Sequence, residues 1–210
     1  MTKKDIYIVG AGTYGETMVE LAESLNYNVK GFYDEDIGKQ GNVVMGIPII
    51  NQYSMLEKAD IKNNQFIVAI GNNELRQKIM KTINDLGGIT PTLIHPNATV
   101  SPSAEVGQGV YIQANSTVWT KVKISDYTII SPGVVIAHHT TVGESSLIST
   151  QTAVGASLDI GSKVFLGMNS TIITGVSYIG DNTTIGAGAV VINNAEKNSV
   201  YAGVPAKKIR

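Results

Sequence analysis

From Val100 to Ile172 every sixth residue is Val, Ile or Leu: Val100, Val106, Ile112, Val118, Ile124, Ile130, Ile136, Val142, Ile148, Val154, Ile160, Leu166 and Ile172. An amphipathic helix needs apolar residues three or four apart, and a half-buried strand needs alternation. A period of six meets neither demand. It fits a parallel β-helix, in which a short strand and a turn recur and each aliphatic side chain stacks on its equivalents in the neighbouring coils. An antiparallel sandwich has no reason to hold so strict a period. Gly follows the aliphatic residue at Gly107, Gly143, Gly155, Gly161 and Gly167. There a positive-φ turn or a close backbone approach excludes a Cβ. After Ile172 the frame slips by one and resumes at Ile179, Ile185 and Val191, so one residue is inserted near Thr174–Tyr178.

The chain has 210 residues, enough for one large domain or two small ones. Its formal net charge is −1 and its basic residues are dispersed, which argues against a nucleic-acid partner. It has no Cys, hence neither disulfides nor a Cys nucleophile. The opening MTKKDIYIVGAG enters a strand directly, with no apolar leader, and no segment is long and apolar enough to span a bilayer. The expectation is a soluble, cytoplasmic protein with no membrane partner.

Ahead of the repeats, Asp5–Val9 reads as a buried strand ending in Gly10-Ala-Gly12-Thr-Tyr-Gly15. A helical pattern follows, with Met18, Val19, Leu21, Ala22 and Leu25 on one face. Asn28–Tyr33 reads as a second strand ending at Asp34-Glu35-Asp36. This is the strand, glycine turn, helix, strand unit of doubly wound α/β folds. Its helix N-terminus offers unpaired N–H groups to a phosphate, and an acidic residue after the second strand can accept from a ribose or sugar hydroxyl. GxGxxG alone is a weak signal for NAD. The segment is half a typical dinucleotide fold, so a mononucleotide or nucleotide sugar fits its size better. Val43–Ser54 is apolar but irregular, a strand or a loop. Phe66–Ile70 is a buried-type strand, Asn73 a candidate N-cap, and Leu75, Ile79, Met80, Ile83 and Leu86 one helix face before Gly87-Gly88. Thr90–Ile94 is a last short strand. Ligands of such folds sit at the carboxyl ends of the strands, which gathers Gly10–Tyr14, Asp34, Glu35 and Gly71 around one crevice. The expected organisation is a small Rossmann-like domain over 1–96 and a parallel β-helix with a C-terminal tail over 97–210. The basic tail from Val200, with Gly203 and Pro205, is not expected to continue the coils.

Of three histidines, His138 and His139 are adjacent, two and three positions after Ile136; His138 shares the alternation parity of Ile136 but lies near the turn, where side chains can swing out. A neutral imidazole can take a proton from an amine or hydroxyl near neutral pH, worth roughly 10²–10⁴-fold in rate. A zinc pair is the rival reading, but adjacent residues on a strand point to opposite faces and no third ligand is evident. A surface histidine without a role is the plain alternative. No Ser has a His-Asp context, so direct transfer with one His base is the economical mechanism.

The repeats, His138 and the tail Ala202-Gly-Val-Pro-Ala206 resemble the left-handed β-helix, hexapeptide-repeat acyltransferases. The opening Val9-Gly-Ala-Gly-Thr-Tyr-Gly15, the acidic pair after Gly31-Phe-Tyr33, and Ala69-Ile-Gly-Asn-Asn-Glu-Leu-Arg76 narrow this. Over about residues 5 to 209 the chain resembles bacterial sugar acetyltransferases of the sialic acid (NeuD) and UDP-bacillosamine (PglD) type. The resemblance implies a homotrimer with acetyl-CoA between the coils of neighbouring subunits, and acetyl transfer to an amine or hydroxyl of a UDP-amino sugar or related sugar held by the α/β domain; no metal is expected from the residues. The family's base falls on His138, its substrate-binding positions on Gly12, Thr13, Tyr14, Asp34, Glu35 and Gly71, and its CoA contacts near Ala156, Gly167, Met168 and Ala187. Lys207 and Lys208 are candidates, by charge, to meet CoA phosphates.

Three departures stand out. The family usually has Asp or Glu directly after the base, where this chain has His139. A second His reaching the acetyl group is replaced by Leu147, and the usual Gly-His of the first turn by Thr13-Tyr14. The missing carboxylate could be supplied by Glu144 or by a neighbouring subunit. The losses at positions 139 and 147 motivate a second reading, a trimeric nucleotide-sugar-binding scaffold without catalysis; O-acetylation of a free sugar such as sialic acid is a third.

Overall fold

The amino-terminal unit is built on a run of β-branched residues. In the computed structural model, which describes residues 3–210, β1 (Lys4–Val9) buries Ile6, Ile8 and Val9 completely. Helix α1 (Thr13–Ser24) follows at once and turns Met18, Val19, Leu21 and Ala22 inward. The tight entry demands glycine, because a Cβ on Gly15 would stand 2.2 Å from the Gly10 carbonyl oxygen. β2 (Tyr27–Tyr33) returns parallel to β1. The irregular stretch after it is a hairpin of β3 (Val43–Val44) and β4 (Ile47–Asn51). Met45 and Gly46, at φ 52° and 78°, make its two-residue turn, as tight hairpins require. A four-residue helix α2 (Lys58–Ile61) precedes β5 (Phe66–Val68), and α3 (Asn73–Asp85) follows it. The sheet order is β3-β4-β2-β1-β5, parallel except for the hairpin.

Helix α3 differs in two respects from the sequence expectation. Its N-cap is Asn72, whose side chain accepts from the Leu75 N–H at 2.9 Å, so Asn73 is already helical. Leu75 is 38% exposed, and the fully buried side chain beside Ile79, Met80 and Ile83 is Arg76. The guanidinium reaches back to the Ile70 carbonyl (3.0 Å) and the Asn73 side chain (2.8 Å), bracing the turn from which the helix starts.

The chain divides after Leu93, and the second unit runs from Ile94 to Arg210. Of Thr90–Ile94 only Leu93–Ile94 (β6) is strand, and it opens the first of three parallel sheets. That sheet continues through Tyr111–Ile112, Ile129–Ile130, Leu147–Ile148, Phe165–Leu166 and Thr184–Ile185. A second holds Thr99–Val100, Thr117–Val118, Val135–Ile136, Ala153–Val154, Thr171–Ile172 and Val190–Val191. The third holds Glu105–Val106, Lys123–Ile124, Thr141–Val142, Asp159–Ile160 and Tyr178–Ile179. Strand partners are eighteen residues apart until Asp159 pairs with Tyr178, where the inserted residue lengthens one coil. The architecture is a parallel β-helix.

Two positions in each hexapeptide face inward. The aliphatic residues from Ile112 onward are buried, each worth about 1.5–3 kcal/mol on burial. Two residues earlier stands a second buried series that mixes Val110, Ser116, Val122, Thr128, Val134 and Thr140. Its hydroxyls are satisfied by backbone: Ser116 donates to the Ser131 carbonyl at 2.9 Å and Thr140 to that of Gly155 at 2.8 Å. The corners use left-handed backbone three residues after the aliphatic position, as at Lys121, His139 and Ser157 (φ 55°, 60° and 58°). The glycines directly after the aliphatic positions therefore serve close backbone approach, not positive φ.

The tail departs from expectation. Val200–Ala202 pairs in parallel with Thr184–Ile185 and so extends the first sheet by one strand. The chain then turns and Lys207–Lys208 runs back antiparallel to Tyr201–Ala202.

Candidate functional site

Two groups of candidate residues emerge, one in each unit. In the α/β unit a cavity of about 450 Å³ opens at the carboxyl ends of the strands, lined by Gly10, Gly12, Asp34, Glu35, Lys39, Tyr53, Ala69, Ile70 and Leu75. Gly12, Asp34 and Glu35 are thereby brought together. Thr13 and Tyr14 begin α1 directly beside Gly12, and Gly71 follows Ile70. Gly12 is the N-cap of α1 and supplies no side-chain acceptor for the helix's first N–H groups. Such a terminus, with its positive dipole end, suits an anionic ligand.

The acidic pair is already engaged. Asp34 accepts from the Ala11 N–H (2.8 Å), the Asp36 N–H (3.0 Å) and the Lys39 ammonium (3.0 Å). Burial opposes its ionised form, but these hydrogen bonds and the Lys39 charge outweigh that and hold the carboxyl below its ordinary value. Glu35 accepts from the Ser54 hydroxyl at 2.7 Å and from Gln52. Burial, then the Glu35 charge, raises the Tyr53 phenol, which stays a neutral hydrogen-bonding group on the cavity wall. Lys39, Tyr53 and Arg76 were not found from sequence. Lys39 lies beyond the second strand in a short 3₁₀ turn (Ile37–Lys39), where nothing in local pattern marks it.

In the β-helix, His138 and His139 form a corner of the coil after Val135–Ile136 and are both exposed. They stand on a turn, as expected for His138, so the strand argument for opposite faces does not apply to the pair. His139 has left-handed backbone (φ 60°) at this corner. Their Nδ1 atoms lie 3.1 Å apart with the ring planes at 86°. Trp119, from the preceding coil, flanks His138 with ring centroids 6.4 Å apart and planes 30° from parallel. An eighteen-residue coil places 119 beside 137 and 138, a signal available once the coil length is known. Glu144 belongs to the next corner, after Thr141–Val142, so within one chain the partner of His138 is His139. Among the described residues no group of three His, Asp or Glu side chains is placed to hold a metal ion.

The remaining candidates divide between corners. Ala156 lies one coil beyond His138 on the same corner. Gly167, Met168 and Ala187 share a different corner, after Phe165–Leu166 and Thr184–Ile185, and Leu147 lies on the strand next to Phe165. There a Cβ on Gly167 would meet the Ala187 N at 2.5 Å, and Met168 is 57% exposed. Lys208 is paired with Glu196 at 2.7 Å. Among the described residues, no helix is long and apolar enough to cross a membrane.

Comparison with known proteins matches both units. The model of the PglD N-terminal domain matches residues 5–83, and that of the GMPPB C-terminal domain residues 88–177. The crystal structure of PerB from Caulobacter crescentus, in complex with CoA and GDP-perosamine, is 30% identical with a TM-score of 0.88, covering 98% of this chain and 97% of that one. The acetyltransferase domain of PglB from Neisseria gonorrhoeae, in complex with acetyl coenzyme A, is 28% identical with a TM-score of 0.69, covering 99% and 100%. GDP-perosamine N-acetyltransferase of Escherichia coli O157:H7 is 30% identical over 130 residues, 57% of this chain and 56% of the relative. The chain spans about half or less of the length of the curated relatives it matches.

Proposed function

The chain belongs to the family of PglD-type sugar acetyltransferases, and on that premise we propose that it transfers an acetyl group from acetyl-CoA to the amine of a nucleotide-linked amino sugar. The observation that carries this reading is the exposed imidazole of His138, held between Trp119 and His139 on a coil corner. In this reading the α/β unit holds the nucleotide, with the N-terminus of α1 and Lys39 meeting its phosphates. His138 takes the proton as the amine attacks the thioester carbonyl. The sugar belongs to surface glycan synthesis, and the reaction runs in the cytoplasm, where acetyl-CoA is supplied. UDP is the nucleotide first expected, and the GDP-perosamine bound to PerB puts GDP beside it.

The working form is a homotrimer of left-handed coils. His138 and the group Gly167, Met168 and Ala187 stand on different corners of the coil. A threefold arrangement unites them across a subunit boundary and closes the acetyl-CoA groove. The test is thiol release from acetyl-CoA against UDP- and GDP-linked amino sugars and free sugars, with light scattering for mass. Turnover with a free sugar alone would transfer the reading to O-acetylation. No turnover and no CoA binding would leave a nucleotide-sugar-binding scaffold.

A further inference from the structure

We propose that His139 is the positioning residue for His138: its Nδ1 accepts the His138 Nδ1–H and so leaves the His138 Nε2 lone pair free for the substrate. The inference rests on the acetyl-transfer reading for its consequence but on geometry for its content. The two Nδ1 atoms are 3.1 Å apart, within hydrogen-bond reach, so a neutral pair holds one proton between them. With Nδ1 turned to its neighbour, Nε2 is the one nitrogen of His138 left for a reacting group, and it acts as a base only when the shared proton is on His138.

The corner is built to keep this contact. The His139 N–H donates to the Thr120 carbonyl (3.0 Å) and the Ser157 N–H to the His138 carbonyl (3.0 Å), locking the turn to the coils on either side. His139 holds the left-handed φ of 60° that recurs at these corners. Lys121 occupies the equivalent corner position one coil earlier. The following coil offers Ala156 and Ser157, neither of which titrates.

In the reaction the N–C bond forms, the thioester C–S bond breaks, and the amine proton passes to His138 Nε2 and on to the CoA sulfur. Throughout, the His139 Nδ1 lone pair faces the His138 Nδ1–H and steadies the imidazolium. A neutral acceptor stabilises that cation less than a carboxylate does.

The test uses full-length protein labelled with ¹⁵N in histidine. The expected spectrum above neutral pH has the His138 proton on Nδ1 and a bare Nε2, assigned by its disappearance in His138→Ala. His139→Asn, whose amide oxygen is also an acceptor and whose side chain suits left-handed backbone, keeps that tautomer and keeps kcat within about threefold. His139→Ala releases the tautomer and lowers kcat about 10–100-fold, the scale of lost second partners elsewhere, with KM unchanged. His139→Asp moves the acid limb of the kcat/KM profile to higher pH, because a carboxylate favours the imidazolium. Protonation of His138 at Nε2, or full kcat in His139→Ala, overturns the proposal. The spectrum is read without turnover, so a chain with the expected tautomer and no acetyl transfer refutes the activity while upholding the pairing.

Discussion

Gly143 lies so close to the next coil that a Cβ on it would stand 2.4 Å from the carbonyl carbon of Gly161 and 2.5 Å from the Ser162 nitrogen. Neither atom can move without parting two hydrogen-bonded coils. Gly143→Ala is therefore expected to cost about 1–3 kcal/mol, the range of overpacking. Gly71→Ala has open space around it and is expected to stay within about 0.5 kcal/mol. Urea midpoints of the two variants check the contrast, and equal midpoints would refute it.

His138→Ala is expected to lower kcat by roughly 10²–10⁴-fold, the worth of a general base. Because His138 is exposed, its melting temperature and CoA affinity should not change. Turnover at the wild-type rate would remove the assigned role.

Asp34 links the stability of the α/β unit to acid. Its folded carboxyl titrates below the ordinary 3.8, so the stabilisation is complete above that value and is lost as pH falls through the lowered one. Asp34→Asn should be less stable than wild type at pH 7, and the gap should close in strong acid. A gap in urea midpoints that is independent of pH would show that the carboxylate's charge contributes nothing.

Lys39 is the cation on the wall of the 450 Å³ cavity, beside two carboxylates that would otherwise repel a diphosphate. Lys39→Met should raise KM for the nucleotide sugar about tenfold and leave kcat nearly unchanged, the signature of lost uniform binding. An unchanged KM would take Lys39 out of the binding site.

Asn72→Ala removes the side-chain acceptor for the Leu75 N–H and should cost about 1 kcal/mol in chemical unfolding. No change in the midpoint would show the cap to be dispensable.

The coils were legible because Ile112, Val118, Ile124 and their successors are uniformly aliphatic at one spacing. Their companion inward series was not, because Ser116, Val122, Thr128 and Val134 share only size, and a hydroxyl bonded to a carbonyl one coil away packs as well as a methyl. The glycine turn and the acidic pair of the α/β unit were legible from residue type. Arg76 was not, since an arginine on a helix reads as solvated until its carbonyl partners are seen. The histidine pair and its place near a turn were legible in sequence. The contact between the two rings was not, since strand alternation says nothing of side chains at a left-handed corner.

Residues Val200–Lys208 also cover strand edges at the carboxyl end of the described coils. A stack of parallel strands ends in a row of unsatisfied N–H and C=O groups that another molecule's strand can extend. Here the Val190 N–H donates to the Gly203 carbonyl (3.1 Å), the Ala206 N–H to that of Val190 (2.7 Å), and Lys207–Lys208 covers Tyr201–Ala202 with two cations. A chain cut before Val200 would keep every repeat yet lose this terminator. Its open end would be a template for filaments, and the repeat that makes the fold would then have no natural length.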